Sequence, residues 1–320
     1  MIVVVCPGQG SQTPGFLGPW VGEPRFREHL ESLSDAAAMD LLSHGTVSDA
    51  DTIRDTAVAQ PLIVAAGLLT LRALLDGRRD KIAGVAGHSV GELTAAAAAG
   101  ILSEHDAMTV VRERGAAMAE AAAQAETGMS AVIGAAEDEL LAKLDELGLE
   151  PANFNGSGQI VVAGDLVALE RLKQQPPSGA RVIPLQVAGA FHTRYMASAV
   201  ERLRSVTSTV TSQDPSLTIW TNHDGSTVDS GSRFVDLLVG QVSSPVRWDK
   251  TMESLAGAGV SGIIEVAPAG ALVGLAKRGL KGVPTVAVKT PDDLDAAISL
   301  LDAGLTNAGL TNAGLVDGNS

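Results

Sequence analysis

Cysteine, aromatic residues and basic charge are all scarce in this chain of 320 residues. Its one cysteine, Cys6, excludes an internal disulfide bond and most cysteine-based metal sites, and it fits a reducing cytoplasm. Aromatic residues make up only 3% of the chain, although 45% of it is hydrophobic. This composition indicates one or two α/β domains with cores of alanine, valine, leucine and isoleucine.

Positive charge is too sparse for a general nucleic-acid binder. The chain has 37 acidic and 23 basic residues, a net charge of −14, and no Lys/Arg cluster reverses that balance locally. We also expect no apolar stretch near the roughly 18 residues that a membrane span needs. The first apolar run, residues 2–5, is too short for a signal peptide and follows no basic segment. A cytoplasmic protein with neither nucleic acid nor membrane as a partner is therefore predicted.

Strand-like and helix-like segments alternate along most of the chain. In the first part, strands are predicted at residues 2–6 and 82–86, and helices at 60–75, 92–99 and 103–123. In the last part, strands are predicted at 217–221 and 262–266, and helices at 234–239 and 272–278. Such alternation predicts a mostly parallel sheet covered by helices on both faces.

Residues 128–187 follow a different order, strand-helix-strand-strand-helix-strand, which predicts a ferredoxin-like subdomain inserted into the α/β core. The core then consists of residues 1–127 and 188–300. Near the end, Ala-Gly-Leu-Thr-Asn at 303–307 recurs at 308–312 and begins again at 313. A five-residue repeat is too short for a solenoid unit, so we predict a disordered low-complexity tail over 303–320.

A lone serine stands where a nucleophile can be made. Ser89 is the centre of Gly-His-Ser-Val-Gly at 87–91, between a predicted buried strand and an alanine-rich helix that ends at Gly100. This order of strand, Gly-x-Ser-x-Gly and helix is the context of a nucleophile elbow. The glycines permit the tight turn, and the helix N-terminus behind Ser89 favours developing negative charge. Ser89 is therefore the candidate nucleophile.

An activated serine needs a base, and histidine suits that role near neutral pH. His192 follows an apolar strand and small residues, and it is the candidate base. No carboxylate between Ser89 and His192 stands out as a third member of a triad, so either an ordinary acid or a carbonyl orients the imidazole. Four other histidines are expected at the surface or, beside the nucleophile, in packing: His29, His44, His105 and His88.

Arg114 is a charged residue on an apolar helix face. At 100° per residue it shares that face with Ala107, Val111 and Met118. A guanidinium there needs an anionic partner or a route to water. Two interpretations remain open, a structural ion pair or snorkelling stem, and a bidentate clamp for a substrate carboxylate.

Glycines also flank the loop Pro-Gly-Gln-Gly-Ser-Gln at 7–12, directly after the first strand. The loop fits neither a P-loop nor a dinucleotide fingerprint, so it indicates nucleotide binding only weakly. We predict instead that the backbone N–H groups of Gln9 and Val90 form an oxyanion hole.

Taken together, these motifs resemble the malonyl-CoA:acyl carrier protein transacylases, acyltransferases of fatty acid and polyketide synthesis. The resemblance runs in order through about residues 1–298. Beyond the segments above it includes Arg-Gly at 114–115, Asn-Phe-Asn-Gly at 153–156, Gly-Ala-Phe-His at 189–192 and Gln-Val-Ser-Ser-Pro-Val-Arg-Trp at 241–248. It implies a hydrolase-like core with a ferredoxin-like insert, in agreement with the segment pattern.

The resemblance also implies roles for six residues. They are the nucleophile Ser89, the base His192, the oxyanion donors Gln9 and Val90, the carboxylate partner Arg114, and Gln241, whose main-chain carbonyl orients the histidine. Phe191 is similar to the malonyl-selective type, because it leaves less room for an α-methyl group than the Tyr-Ala-Ser-His of methylmalonyl enzymes.

The implied reaction moves malonyl from malonyl-CoA to the phosphopantetheine thiol of an acidic acyl carrier protein. It would follow ping-pong kinetics in a monomer, with no metal or bound cofactor. A basic rim at Lys277 and Arg278, extended by Lys281 and Arg194, is the expected contact for the carrier. Ordinary solvated surface charges are the alternative interpretation of that rim.

Two other functions remain open. A serine esterase or thioesterase would use the same elbow, but an enzyme for neutral acyl chains has no use for Arg114 in its pocket. A non-catalytic synthase subunit would keep the fold without the chemistry. The intact set of Ser89, His192 and Arg114 argues against that second possibility.

Overall fold

The computed structural model describes residues 1–313, with side chains through Gly304, and this part of the chain forms two five-stranded sheets. The strands in chain order are β1 (Ile2–Cys6), β2 (Gly84–Gly87), β3 (Thr127–Ile133), β4 (Glu150–Gly156), β5 (Gln159–Asp165), β6 (Arg181–Pro184), β7 (Thr218–Trp220), β8 (Val246–Arg247), β9 (Gly262–Glu265) and β10 (Thr285–Ala287). The α-helices are α1 (Gly18–Val21), α2 (Pro24–Ala37), α3 (Leu41–Thr46), α4 (Thr56–Leu75), α5 (Gly91–Ala99), α6 (Glu104–Ala122), α7 (Glu137–Leu147), α8 (Leu166–Gln174), α9 (Ala197–Thr207), α10 (Gly231–Gln241), α11 (Trp248–Gly257), α12 (Ala271–Gly279) and α13 (Leu294–Ala313).

The first sheet is parallel, in the order β10-β9-β1-β2-β7. Its central strand β1 reads Ile-Val-Val-Val-Cys because helices cover both faces of the sheet. Val4 belongs to the larger core with α4, α5 and α6, whereas Val3 and Val5 belong to a second core with α11 and α12. A strand buried on both sides has no polar alternation, and this explains its continuous apolar run.

The second sheet has the order β6-β3-β5-β4-β8. Its first four strands arise from the sequence β3-α7-β4-β5-α8-β6, and α7 and α8 pack on one face. Strand β8, which the sequence analysis did not foresee, comes from the core and pairs in parallel with β4 (Asn153 opposite Val246). The α/β fold with a parallel sheet and a second sheet is thus confirmed, with one extra strand joining the two parts.

Helix α4 corrects the expectation that no apolar stretch approaches the length of a membrane span. Its 20 residues are long and apolar enough to cross a membrane by length and composition. However, 78% of its most apolar window is buried inside the protein, where α4 packs on α5 and α6. A helix in the centre of an α/β layer is surrounded by other elements, so it is apolar on every side.

Helix α13 differs from the predicted disordered tail. It continues through Ala313, so residues 303–313 of the repeat are helical. The start of the helix is fixed by burial of Ala297 and Leu301, and Gly304 packs closely on Ile2. The prediction for residues 314–320 lies outside the described residues.

Candidate active site

Ser89 occupies a tight turn between β2 and α5, with φ of +53°. Its neighbouring glycines are required by space. A Cβ on Gly87 would come within 2.1 Å of the Gly91 carbonyl carbon, and one on Gly91 within 2.1 Å of the Cys6 carbonyl oxygen. The left-handed backbone of Ser89 costs on the order of 1–3 kcal/mol, and it raises the side chain above the sheet edge.

Asn222, just after β7, holds this turn in place. Its Oδ1 accepts a hydrogen bond from the Ser89 N–H (2.7 Å), and its Nδ2 donates to the Gly87 carbonyl (2.6 Å). One buried amide thus satisfies the N–H of the strained residue and the carbonyl two residues before it. Asn222 was not among the residues singled out from the sequence, where it is an ordinary asparagine in a turn.

His192 meets the serine from the segment that follows β6. Its Nε2 lies 2.7 Å from Ser89 Oγ, and its Nδ1 lies 2.8 Å from the main-chain carbonyl of Gln241. A carbonyl can only accept, so Nδ1 carries the hydrogen and Nε2 presents its lone pair to the serine. Burial, together with the charge of Arg114, lowers the pKa of His192 to about 3. The imidazole is therefore neutral near pH 7, and its orienting partner is a carbonyl.

The structure buries Arg114 on the apolar face of α6, where it is 1% exposed. Its Nη2 donates to Gln241 Oε1 (2.7 Å) and approaches Ser89 Oγ (3.3 Å), and its Nη1 donates to Gln60 Oε1 (2.6 Å). All three partners are neutral. The guanidinium thus lies beside Ser89, and within the described part of the chain no carboxylate bonds it directly, so the structural ion pair considered above is not the arrangement found.

Glu92, in the first turn of α5, is a buried carboxylate near Ser89 that sequence reasoning missed. It is 1% exposed, and it accepts hydrogen bonds from Asn222 N (2.6 Å) and Gln241 Nε2 (2.5 Å). Burial raises its pKa to about 7, against the effect of these hydrogen bonds and of Arg114. The usable signal was an acid in an otherwise apolar helix, the same signal that identified Arg114.

A cavity of about 430 Å³ opens in front of Ser89, between the loops after β1 and β2, helix α12 and the second sheet. Gln9 and Val90 line it beside Ser89 and His192, and so does Phe191. The two predicted oxyanion donors therefore line the same cavity as Ser89. The position is the usual one for ligands in such folds, outside the carboxyl ends of parallel strands.

The predicted basic rim divides into three parts. Lys277 and Arg278 are exposed in the last turn of α12, and Arg278 lines the cavity and donates to Gln159 of the second sheet (3.1 Å). Lys281 is exposed just beyond them. Arg194 forms an ion pair with Glu150, so its charge is already matched.

Two more histidines pack against other elements, and one of them is buried against expectation. His29 was expected at the surface, but it is 4% exposed and bonds Glu104 (2.8 Å), because α2 packs on α6. His88 packs as predicted, edge-on to Trp248, and its Nε2 lies 3.0 Å from Asn155 Oδ1. Within the described residues, no group of three or more His, Cys, Asp or Glu side chains is arranged to hold a metal ion.

Comparison with known proteins gives consistent matches. Residues 3–307 match the acyl transferase domain family. The malonyl CoA-acyl carrier protein transacylase of Mycobacterium tuberculosis is 48% identical over 304 residues, which cover 94% of this chain and 100% of that protein. The protein of the same name in Escherichia coli is 33% identical over 304 residues, with coverage of 92% and 98%.

Solved structures share the fold over almost the whole chain. The crystal structure of the Mycobacterium tuberculosis enzyme matches with a TM-score of 0.89 at 48% identity, covering 93% of this chain and 99% of that one. A malonyl-transacylase in complex with its type II polyketide synthase acyl carrier protein matches with a TM-score of 0.88 at 29% identity, with the same coverage. From the family match, the identities and the shared fold it follows that this chain is an acyltransferase and belongs to the malonyl-CoA:acyl carrier protein transacylases.

Proposed function

We propose that this protein transfers malonyl from malonyl-CoA to the phosphopantetheine thiol of an acyl carrier protein, through an ester on Ser89. The observation that carries the proposal is the position of Ser89 Oγ, 2.7 Å from a neutral His192 and 3.3 Å from the buried guanidinium of Arg114. A nucleophile, a base and a cation for the free malonyl carboxylate thus meet at one point.

In the first half-reaction, His192 Nε2 takes the proton of Ser89 Oγ as this oxygen attacks the thioester carbonyl of malonyl-CoA. The carbonyl oxygen becomes an oxyanion, for which the N–H groups of Gln9 and Val90 are the donors. Collapse of the tetrahedral intermediate breaks the carbon–sulfur bond, and the CoA sulfur leaves with the proton held by His192. The products are the malonyl ester of Ser89 and CoA.

The second half-reaction runs the same steps with a different thiol. His192 takes the proton of the carrier's phosphopantetheine thiol, whose sulfur attacks the ester carbonyl. Ser89 Oγ is the leaving group and recovers a proton from His192. Two substrates visit one serine in turn, so ping-pong kinetics follow.

Arg114 would bind the malonyl carboxylate and so select acyl groups that end in an acid. A charge-assisted, bidentate pairing of this kind is stronger than a neutral hydrogen bond. It also acts on the base: a carboxylate on Arg114 offsets the positive charge that helps to lower the pKa of His192. The substrate would thus make the imidazole a better proton acceptor.

The cellular location, the oligomeric state and the carrier contact are part of the same proposal. We assign the reaction to the cytoplasm and to a monomeric enzyme that uses its two substrates without a bound cofactor. For the acidic carrier, Lys277 and Arg278 at the cavity mouth are the proposed contact. A related transacylase has been solved in complex with its own acyl carrier protein, which supports a carrier as the second substrate.

The test is to trap the acyl-enzyme. After a brief incubation with malonyl-CoA, mass spectrometry of the intact protein and its peptides should find one added malonyl group on Ser89. The Ser89→Ala variant should gain none, and added carrier protein should discharge the ester faster than water does. Folded protein that gains no malonyl group would reject the proposal, and discharge by water alone would favour a thioesterase.

A further inference from the structure

Glu92 is a buried carboxylate that none of the proposed steps uses. We propose that Glu92 is a positioning residue for acyl selectivity, because it orients the side-chain amide of Gln241 and thereby holds Arg114 ready for the malonyl carboxylate. This inference rests on the proposed function and concerns the role of the Gln241 side chain, which is separate from the carbonyl that faces His192.

Glu92 holds the side-chain amide of Gln241 in one direction. A carboxylate only accepts hydrogen bonds, so Glu92 Oε2 fixes the NH₂ group of Gln241 toward itself at 2.5 Å. The same NH₂ also lies 3.1 Å from the Ser89 carbonyl. The amide oxygen is thereby turned the other way, where it accepts from Arg114 Nη2 at 2.7 Å. A reversed amide would set two donors against each other at the guanidinium.

Glu92 also balances the charge of Arg114. At pH values above its pKa of about 7, Glu92 supplies the negative charge that Arg114 lacks in direct contact, but it supplies that charge across one neutral amide. A carboxylate bonded directly to the guanidinium would have to be displaced before malonyl could bind. With Gln241 between them, Arg114 is held by neutral groups and keeps its charge for the substrate. Buried charges need such compensation, because an isolated one is costly in a protein interior.

Glu92 itself is held in place by a second hydrogen bond. Its other oxygen, Oε1, accepts from the backbone N–H of Asn222, the residue that bridges the elbow backbone. Glu92 lies only one turn after Ser89, in the helix that begins at the elbow. One fixed carboxylate therefore positions Ser89, the Gln241 amide and the Arg114 guanidinium relative to one another.

The experiment compares acyl donors in the variant Glu92→Gln. Its side chain keeps the shape but presents an NH₂ group to either Gln241 or Asn222, so one of the two hydrogen bonds made by residue 92 is replaced by opposing donors. The Gln241 amide is then held less firmly, by the longer contacts of its NH₂ group to the Ser89 carbonyl and to Asn222 Oδ1 (3.1 Å each). Acylation of Ser89 by malonyl-CoA should fall at least about tenfold more than acylation by acetyl-CoA, which has no carboxylate to place. The ratio is measured on one preparation, so a smaller folded fraction cancels.

Glu113→Gln is the matched control, because Glu113 is the neighbour of Arg114 in the chain but bonds Arg202 and Arg112 instead. Its ratio of malonyl to acetyl acylation should stay at the wild-type value. Equal losses for both donors in Glu92→Gln, or no loss, would overturn the inference. Absence of any Ser89 adduct in the wild-type protein would instead reject the proposed function.

A double variant tests whether a neutral amide must separate the negative charge from Arg114. In Glu92→Gln with Gln241→Glu, an amide at 92 can donate to a carboxylate at 241, so that contact again joins a donor to an acceptor, while the new carboxylate also faces the Ser89 carbonyl. The charge now lies directly on Arg114. Malonyl acylation should therefore stay low relative to acetyl acylation, as in the single variant. Recovery of malonyl acylation relative to acetyl acylation would show that the position of the charge is unimportant, and would overturn the proposed role of the amide as a spacer.

Discussion

Ser89 and His192 form their 2.7 Å contact with both residues in the left-handed region, at φ of +53° and +62°. Such backbone costs on the order of 1–3 kcal/mol for each residue unless the surroundings impose it. Here Ser89 N donates to Asn222 Oδ1, and His192 N donates to the Val242 carbonyl (3.1 Å). The main chain therefore sets the positions from which the Ser89 and His192 side chains meet.

Replacing Arg114 with alanine is expected to separate malonyl from acetyl transfer. Hydrogen bonds to charged groups contribute about 1.5–3 kcal/mol, so kcat/KM for malonyl-CoA should fall roughly 10- to 150-fold. Acetyl-CoA has no carboxylate for Arg114 to bind and should lose much less. Acylation rates with the two donors, measured side by side, check this. Equal losses would argue against the carboxylate role of Arg114.

The rate of Ser89 acylation is expected not to fall on the acid side of the ordinary histidine pKa of 6.5. Its pH profile therefore should have no acid limb there. Burial, with the charge of Arg114, lowers the pKa of His192 to about 3. The imidazole therefore stays neutral, and able to accept a proton, until the pH falls toward that value. Arg114→Gln removes one cause of the lowering and should move the limb to higher pH. Rapid-quench acylation by acetyl-CoA from about pH 5 to 8 covers the useful range. A wild-type limb near 6.5 would contradict the expectation.

Phe191 is expected to limit the enzyme's use of methylmalonyl-CoA. It is 6% exposed and lines the cavity beside His192. One methyl group is worth about 1–3 kcal/mol in a pocket, so Phe191→Ser should raise methylmalonyl relative to malonyl transfer by up to roughly 150-fold. Competition between the two donors, followed by mass spectrometry of the carrier, measures the ratio. An unchanged ratio in folded variant protein would place the selectivity elsewhere.

Charge reversal at Lys277 is expected to affect the carrier and spare malonyl-CoA. Lys277 is exposed and, unlike Arg278, does not line the cavity. Lys277→Glu should raise the KM for the carrier and weaken the salt dependence of that KM, because exposed charges act mainly on the rate at which two proteins associate. The rate of Ser89 acylation should not change. Lys173→Glu, an exposed lysine on α8, is the matched control. An unaltered carrier KM in Lys277→Glu would exclude this residue from the contact.

The elements that could be predicted were those with a strong local signal. Strand β1 matches the predicted residues, because a continuous apolar run admits few alternatives. The second helix predicted within residues 128–187 is present as α8, since Asp165 caps its first turn through the N–H groups of Val167 and Ala168. Helices α2 and α11 were missed, because their sequences are mixed in polarity and gain their order from packing. The two-residue strand β8 has no local signal and exists only through its pairing with β4.

The sequence by itself determined the candidate nucleophile Ser89, its glycine turn and the charged residue on an apolar face. These are local properties: a turn that only glycine permits, and a helical period that places Arg114 among alanine, valine and methionine. The residue pattern left the third partner of the histidine open between an acid and a carbonyl, and only the family resemblance implied the Gln241 carbonyl. Neither gave a reason to single out Glu92 or Asn222.

Only the tertiary structure decided those points, because hydrogen bonds between residues far apart in the chain depend on where the elements pack. The end of α10 brings the Gln241 carbonyl to His192 and the Gln241 amide between Glu92 and Arg114. Burial then sets the charge states, since the same groups in water would keep their ordinary pKa values. The residue types determine what chemistry the site can perform, but the tertiary fold determines which residues are hydrogen-bonded to one another.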